Sequence, residues 1–270
     1  MTACSFLGMY DLPAQASAND RLWTAIATRL IAHGIAAPRH LTRDRAPADL
    51  WNDPALLFGQ ACGYPLVSRA LPLRILALPD YDAPGCAKGR HRSLIVTRAA
   101  DPAATLADFR GRRAAINDPA SNTGMNLFRA VVAPVAQGNR FFADVVVTGS
   151  HRDSIRAILN DEADLAAIDA VTHAGLARFE PDLVRGLRIV AETPSSPTLP
   201  FVTARSTPVD TVAALRIALK EAMADPALDD ARATLFLRGI VAVPPDAFAA
   251  LGALGAMAAT AAALGYPNLA

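Results

Sequence analysis

The sequence predicts an α/β fold of two lobes, each a mostly parallel sheet with flanking helices, joined by two crossover segments. Three observations carry this expectation. Short, apolar, β-branched runs such as Ser93–Thr97 alternate with stretches of helical periodicity, the pattern of parallel strands covered by helices. The chain has 270 residues, 52% hydrophobic and 19% charged, enough to fill one large core or two smaller ones. Two irregular stretches, the loop ahead of Ser93 and Thr193–Pro200 with its three prolines, mark the places where the chain changes lobe. Residues 1–92 plus 201–270 then form lobe 1, and 93–200 an inserted lobe 2, with a ligand cleft between them.

Element by element, Cys4–Met9 is a first apolar strand that turns at Tyr10 and Asp11. Leu22, Ile26, Leu30 and Ile31 keep helical spacing over Asp20–His33. Asp44–Trp51 is a polar turn with a short helix, Leu56–Gly59 a strand, Gln60–Tyr64 a loop, Leu73–Leu78 a strand, and Asp80–Arg90 an exposed loop. After Ser93–Thr97 come a helical turn at Leu106–Gly111, a strand at Ala114–Ile116 and a helix over Met125–Val135. Ala143–Thr148 and Asp164–Ile168 are strands, each leading into a helix, at Ser154–Leu159 and His173–Phe179. Leu187–Ala191 and Phe201–Thr203 are the last strands, and beyond Thr207 the chain is expected to be helical to its end.

Net charge is +1, and Lys88 and Lys220 are the sole lysines. The arginines are scattered and show no basic stripe with interleaved aromatics, which argues against a nucleic-acid face. Cys4, Cys62 and Cys86 have no metal-type spacing, and the five histidines form no ligand pair, so neither metal nor cofactor is expected. Cys4 reads as a buried small hydrophobe, and a Cys62–Cys86 disulfide has no support. Ala247–Tyr266 carries no charge, yet alanine and glycine dominate it between Pro244-Pro245-Asp246 and Gly265-Tyr266-Pro267. It reads as a packed C-terminal helix, not a membrane span. Met1 runs directly into the first strand without a secretory leader, so the chain as it stands would be cytoplasmic.

The densest chemistry lies in two turns, Asn117–Asn126 and Thr148–Ser154. Each follows a strand, opens a helix and is rich in hydroxyls and small residues. A helix start leaves backbone N–H groups unpaired and partly positive, and small side chains let an anion approach them. Ser121, Asn122 and Thr123 exceed what one helix cap requires. Ser150 and Asp153 fit a capping box, which leaves His151 unexplained. Asp169 ends an apolar strand, where α/β proteins bind ligands, and could equally cap the next helix. Tyr10 and Gln60 sit at comparable strand ends, while His91 and Ser93 lie at a lobe crossing. Apart from the capping Asp153, these ten residues are the candidate ligand contacts; no catalytic residue is assigned.

In their order, these motifs resemble the substrate-binding proteins of phosphonate, phosphite and phosphate ABC importers, of the type II periplasmic binding protein fold. The resemblance rests on Ser93 with its strand, Leu106–Gly111, Asp118–Gly124, Phe141-Phe142, Gly149–His151 with Ser154, Ala163–Asp169, and Gly265-Tyr266-Pro267. It is strong over about residues 90–200. His91 stands where the family commonly has a ligand-touching Tyr. The family is periplasmic, which contrasts with the leaderless start.

The resemblance implies a monomeric solute-binding protein that captures a small oxyanion, foremost a phosphonate or phosphite, for an ABC permease, without catalysis. A carboxylate such as Asp169 or Asp11 would accept a hydrogen bond from a P–OH and so reject sulfate. The rival readings are a cytosolic ligand sensor or a pyrimidine-related enzyme on the same fold. Ser, His and Asp are all present, but no Gly-x-Ser-x-Gly elbow is, and Ser150 adjoins His151 too closely for a triad.

Overall fold

The computed structural model describes residues 2–136 and 140–249. β1 (Cys4–Phe6) runs into a single 3₁₀ turn at Gly8–Tyr10, followed by α1 (Ala16–Ala32), α2 (Pro47–Trp51), β2 (Leu56–Gln60), α3 (Gly63–Ser68) and β3 (Leu73–Tyr81). Then come β4 (Arg90–His91), β5 (Ser93–Arg98), β6 (Arg113–Ile116), α4 (Leu127–Ala136), β7 (Asp144–Val147) and α5 (His151–Leu159). β8 (Leu165–Asp169), α6 (Ala170–Phe179), α7 (Pro181–Arg185), β9 (Leu187–Glu192) and β10 (Ser196–Pro197) follow. β11 (Phe201–Ala204), α8 (Val209–Ala224), α9 (Asp229–Thr234) and β12 (Leu237–Val241) complete the described chain. The helix expected over Ala247–Tyr266 falls, from residue 250 on, outside the described residues, as does Gly265-Tyr266-Pro267.

The chain divides into two compact units. Unit 1 holds Met1–Asp82, Ala87–Arg90 and Pro197–Ala247; unit 2 holds Ala83–Cys86 and His91–Ser196. Unit 1 is built on a sheet in the order β1-β2-β11-β3-β12, and unit 2 on one in the order β7-β6-β8-β5-β9. β4 and β10, where the chain passes between units, pair as a separate two-stranded sheet.

Both five-stranded sheets are mixed, which corrects the expectation of mostly parallel ones. β1 pairs parallel with β2, and β6 parallel with β7 and β8. β11 is antiparallel to β2 and β3, β12 to β3, and β5 to β8 and β9. A parallel neighbour requires a crossover returning the chain to the same sheet edge. β5 and β11 instead arrive from the other unit, and both run against their neighbours.

Other elements also differ from expectation. Leu237–Val241 is a strand, not helix: Leu237 is buried, Arg238 faces out, and the segment completes the edge of β3. Gly63 and Tyr64, expected at the end of the Gln60–Tyr64 loop, instead open the helix Gly63–Ser68. β3 continues to Tyr81, which is buried, so the loop begins later than Asp80. Cys4 and Cys62 are buried, and Cys86 is half-buried.

Each unit has its own aromatic centre. In unit 1 the Trp23 and Phe58 rings stack at 5.7 Å, and Phe58 stacks on Phe201 at 5.3 Å. In unit 2 Phe141 meets Phe142 edge-on at 4.9 Å, and Phe142 packs against Phe128. Around them lie Ile95, Phe109, Ile116 and Leu165. Truncating one such ring to alanine costs about 3–5 kcal/mol. This packing is what holds the ends of β6 and β8, and the turns that follow them, in place.

Candidate functional site

Unit 2 gathers most of the candidate residues at the ends of β6, β7 and β8. β6 and β7 run parallel and in register from Arg113 and Asp144 to Ile116 and Val147, so both hydroxyl-rich turns emerge from one edge. After β6 the Asp118 carboxylate accepts from the Ala120 N–H, and the Asp118 carbonyl from the Ser121 N–H. Ser121 then caps the helix: its Oγ accepts from Gly124 N at 3.0 Å. The Asn126 N–H reaches back to the Ser121 carbonyl, a wide π-type turn over Asn122–Asn126 that brings Asn122 and Thr123 inward.

The second turn is tied to the first. The Gly149 N–H donates to the Asn117 carbonyl at 2.9 Å, with Gly149 at φ 90°, a conformation that favours glycine. Ser150 caps α5, accepting from Asp153 N at 3.0 Å and donating to the Asp153 carboxylate at 2.7 Å. The capping explanation thus accounts for Ser150 and Asp153. His151, in the first turn of α5, points its Nε2 at Thr123 Oγ1, 3.1 Å away. His151 is half-buried as a residue, its Nδ1 is sealed, and the Ala167 backbone supports the ring. Burial pushes the His151 pKa down from 6.5 and outweighs the opposing pull of Asp169, so the imidazole is neutral near pH 7.

Gly124 makes this geometry possible. A Cβ there would lie 1.7 Å from Asn117 Oδ1 and 3.1 Å from His151 Cε1. Asn117 Oδ1 is itself buried without a hydrogen-bond partner among the described residues. A bare Cα, an amide oxygen with no partner among the described residues and the edge of the His151 ring therefore meet at one spot.

Ser93 and Asp169 are paired residues of β5 and β8. The Ser93 hydroxyl donates to the Thr123 carbonyl at 2.8 Å, and its N–H to Thr193 Oγ1, so Ser93 braces the turn. Asp169 caps α6 through Oδ1, which accepts from Val171 N and Thr172 N. Its Oδ2 lies 3.1 Å from His91 Nδ1. Burial works to raise the Asp169 pKa, but the adjacent His91 and His151 and the Thr172 N–H hold it below 3.8. Asp169 is thus a buried carboxylate held by its own unit, not the open acceptor for a P–OH that the sequence suggested. His91, expected in lobe 1, belongs to unit 2 and is fully buried. Asn122 donates to Ser196 Oγ at 2.9 Å.

Tyr10 and Gln60 lie in unit 1. Gln60 ends β2 instead of opening a loop, and its amide donates to Tyr81 Oη at 2.8 Å and the Leu199 carbonyl at 3.0 Å. Both amide hydrogens are thereby committed. Tyr10 meets Tyr81 edge-on at 5.5 Å. Tyr10, Gln60 and Tyr81 help line a cavity of ≈ 20 Å³, room for about one water.

The arrangement in unit 2 is a polar cluster of hydroxyls, amides and neutral imidazole at two helix starts. Arg152 is held by Glu180 and Arg92 by Glu192, so neither forms a clamp there. Such a donor set can replace the hydration of a small oxyanion without a direct cation. The residues missed in sequence were Asn117, Thr193 and Ser196. Asn117 opens the first of the two turns but was not among the candidate contacts; the other two come from a proline-rich stretch with no pattern of its own.

This mixed-sheet α/β chain has the type II periplasmic binding protein fold. Residues 56–247 match the family of the phosphonate periplasmic substrate-binding proteins of ABC transporters. The chain is a member of that family. It is similar in structure to PhnD1 from Prochlorococcus marinus in complex with methylphosphonate, with TM-score 0.75 and 11% identity, covering 96% of this chain and 98% of that one. A binding protein component of an ABC phosphonate transporter from Pseudomonas aeruginosa gives TM-score 0.74 and 17% identity over 96% and 89% of the two chains. A Xanthomonas citri protein bound to chloride gives 0.72 and 17% over 94% and 96%. Among curated proteins none matches the chain in sequence. No helix of the described residues is long and apolar enough to cross a membrane.

Proposed function

We propose that this protein captures a phosphonate or phosphite for an ABC importer and releases it unchanged. The carrying observation is the Thr123–His151 contact beside Gly124, where Asn117 Oδ1 has no partner among the described residues. The oxyanion would accept from the Thr123 hydroxyl, from His151 and from N–H groups of the Asn122–Asn126 turn, with His91, Ser93 and Asp169 bracing that wall. Tyr10 and Gln60 are the unit 1 candidates. A buried amide oxygen favours a ligand that still carries a proton to donate, as phosphite monoanion and phosphonate monoanion do and sulfate does not.

A hydrolytic reading fits less well. Thr123 and His151 have the spacing of a nucleophile and base, but no carboxylate hydrogen-bonds His151 Nδ1 to orient it. Calorimetry with phosphite, methylphosphonate, 2-aminoethylphosphonate, phosphate and sulfate tests the assignment. Tight binding of a phosphorus oxyanion and weak binding of sulfate is expected; a protein that binds none of them is not a phosphorus-oxyanion receptor. Phosphorus NMR of the mixture over a day should show the ligand unaltered, and any product would assign an enzyme.

A further inference from the structure

Arg129, in α4, is only 3% exposed, yet it forms no ion pair with a carboxylate among the described residues. Its single described partner is Asn126 Oδ1, 2.9 Å from Nη2, and its Nε has none. The stretches 137–139 and 250–270 contain no Asp or Glu. Arg112 pairs with Asp101, and Arg98 and Arg113 with Asp164, while Arg110, Arg140 and Arg188, which bond only carbonyls, are more exposed than Arg129. A guanidinium does not give up its proton inside a protein, so burial leaves a full positive charge in search of a counter-ion.

The charge is wired to the candidate site. Arg129 donates to Asn126 Oδ1, Asn126 Nδ2 donates to Asn122 Oδ1 at 3.3 Å, and Asn122 Nδ2 donates to Ser196 Oγ at 2.9 Å. All four residues are at most 3% exposed. The donors run head to tail away from the cation, and low-dielectric chains of this kind polarise one another. Positions 122, 126 and 129 fall on one side of the turn and helix, which is how the wide Asn122–Asn126 turn can lie over Arg129.

We propose that Arg129 is a positioning residue for the oxyanion: through Asn126 and Asn122 it supplies the positive charge that the Ser121–Thr123 turn lacks, and the bound anion is its counter-ion. This rests on the proposed function above. It would explain how a pocket without a direct arginine contact holds a charged ligand.

The test uses the full chain, methylphosphonate as probe, and Arg129→Gln beside Arg129→Lys, with Thr123→Val marking the site itself. Glutamine still donates to Asn126 but carries no charge; lysine keeps the charge. Arg129→Gln should bind about tenfold weaker or worse, melt without ligand no lower than the parent, and show its loss most strongly at pH values where the ligand is a dianion. Arg129→Lys should restore most of the affinity. If Arg129→Gln binds like the parent while Thr123→Val does not, the inference fails and the site stands. If both Arg129 variants melt lower and bind equally poorly, Arg129 is a structural anchor and the inference fails. A parent that binds none of the phosphorus oxyanions removes the proposed function and the inference together.

Discussion

Thr123 Oγ1 stands 3.1 Å from His151 Nε2, and this contact joins two turns separated by 28 residues. One turn caps a helix with Ser121 and the other with Ser150, so neither hydroxyl nor imidazole is required for capping. Capping therefore does not account for the pair, and ligand binding is what the next measurements test.

Thr123→Val and His151→Ala should each weaken methylphosphonate binding by about tenfold to a hundredfold, the ~1.5–3 kcal/mol of a hydrogen bond to a charged group. Because the two side chains touch, the double variant should lose less than the sum of the single losses. Titration calorimetry of the four proteins measures both quantities.

Gly124→Ala should destabilise the protein by about 1–3 kcal/mol and remove binding, since its Cβ would displace Asn117 and press on His151. Gly239→Ala is the control: a Cβ there meets nothing within 4 Å, and stability should change by less than ~0.5 kcal/mol. Thermal melts and calorimetry of the two variants make the comparison.

Stability should fall with acidity below about pH 6.5. Burial lowers the pKa of His151, and likewise of His173, beneath 6.5, so in that range the unfolded chain binds more protons than the folded one. Folding stability then rises with pH up to the unfolded value and is flat above it. His151→Gln should reduce the slope between pH 5 and 6.5 without abolishing it, as urea melts at several pH values would show.

Asp164 sets a second, lower window. Its burial would raise its pKa, but Arg113, the Arg113 N–H and Arg98 bring it down to about 2 from 3.8. The stability this supplies, ~2 kcal/mol, is complete above pH 3.8 and disappears as pH falls through about 2. Asp164→Asn should lower the melting temperature at pH 7 and reduce the difference at pH 2.

Much of the architecture could be read from local pattern. The runs at Leu56, Ser93 and Leu165 are strands because each is short, apolar and bounded by turn residues. Ser121, Ser150 and Asp169 announced helix starts, and each does cap one. Strand direction was not legible, because it depends on where the chain arrives from and not on its side chains. Leu237–Val241 was missed because five residues interrupted by Arg238 and Gly239 show no decisive period; pairing with β3 makes them a strand. Within the candidate site, sequence could name hydroxyls but not their commitments. Ser150 and Asp169 are engaged in caps, Gln60 in a joint between β2, β3 and the segment before β11, and Asn122 in a relay toward Arg129. Such commitments arise from residues far apart in the chain.

The order of the unit 1 sheet has a consequence for synthesis. β11 lies between β2 and β3, yet it is made after every strand of unit 2. A nascent chain that has reached residue 196 holds the whole of His91–Ser196 but lacks the strand that joins β2 to β3. Unit 2 can therefore assemble while unit 1 waits on the ribosome with two open β edges, the state in which chains seek chaperones or aggregate. Pulse proteolysis of chains stalled at increasing lengths should find protection of residues 91–196 first, and of residues 2–82 only after Phe201–Ala204 has emerged.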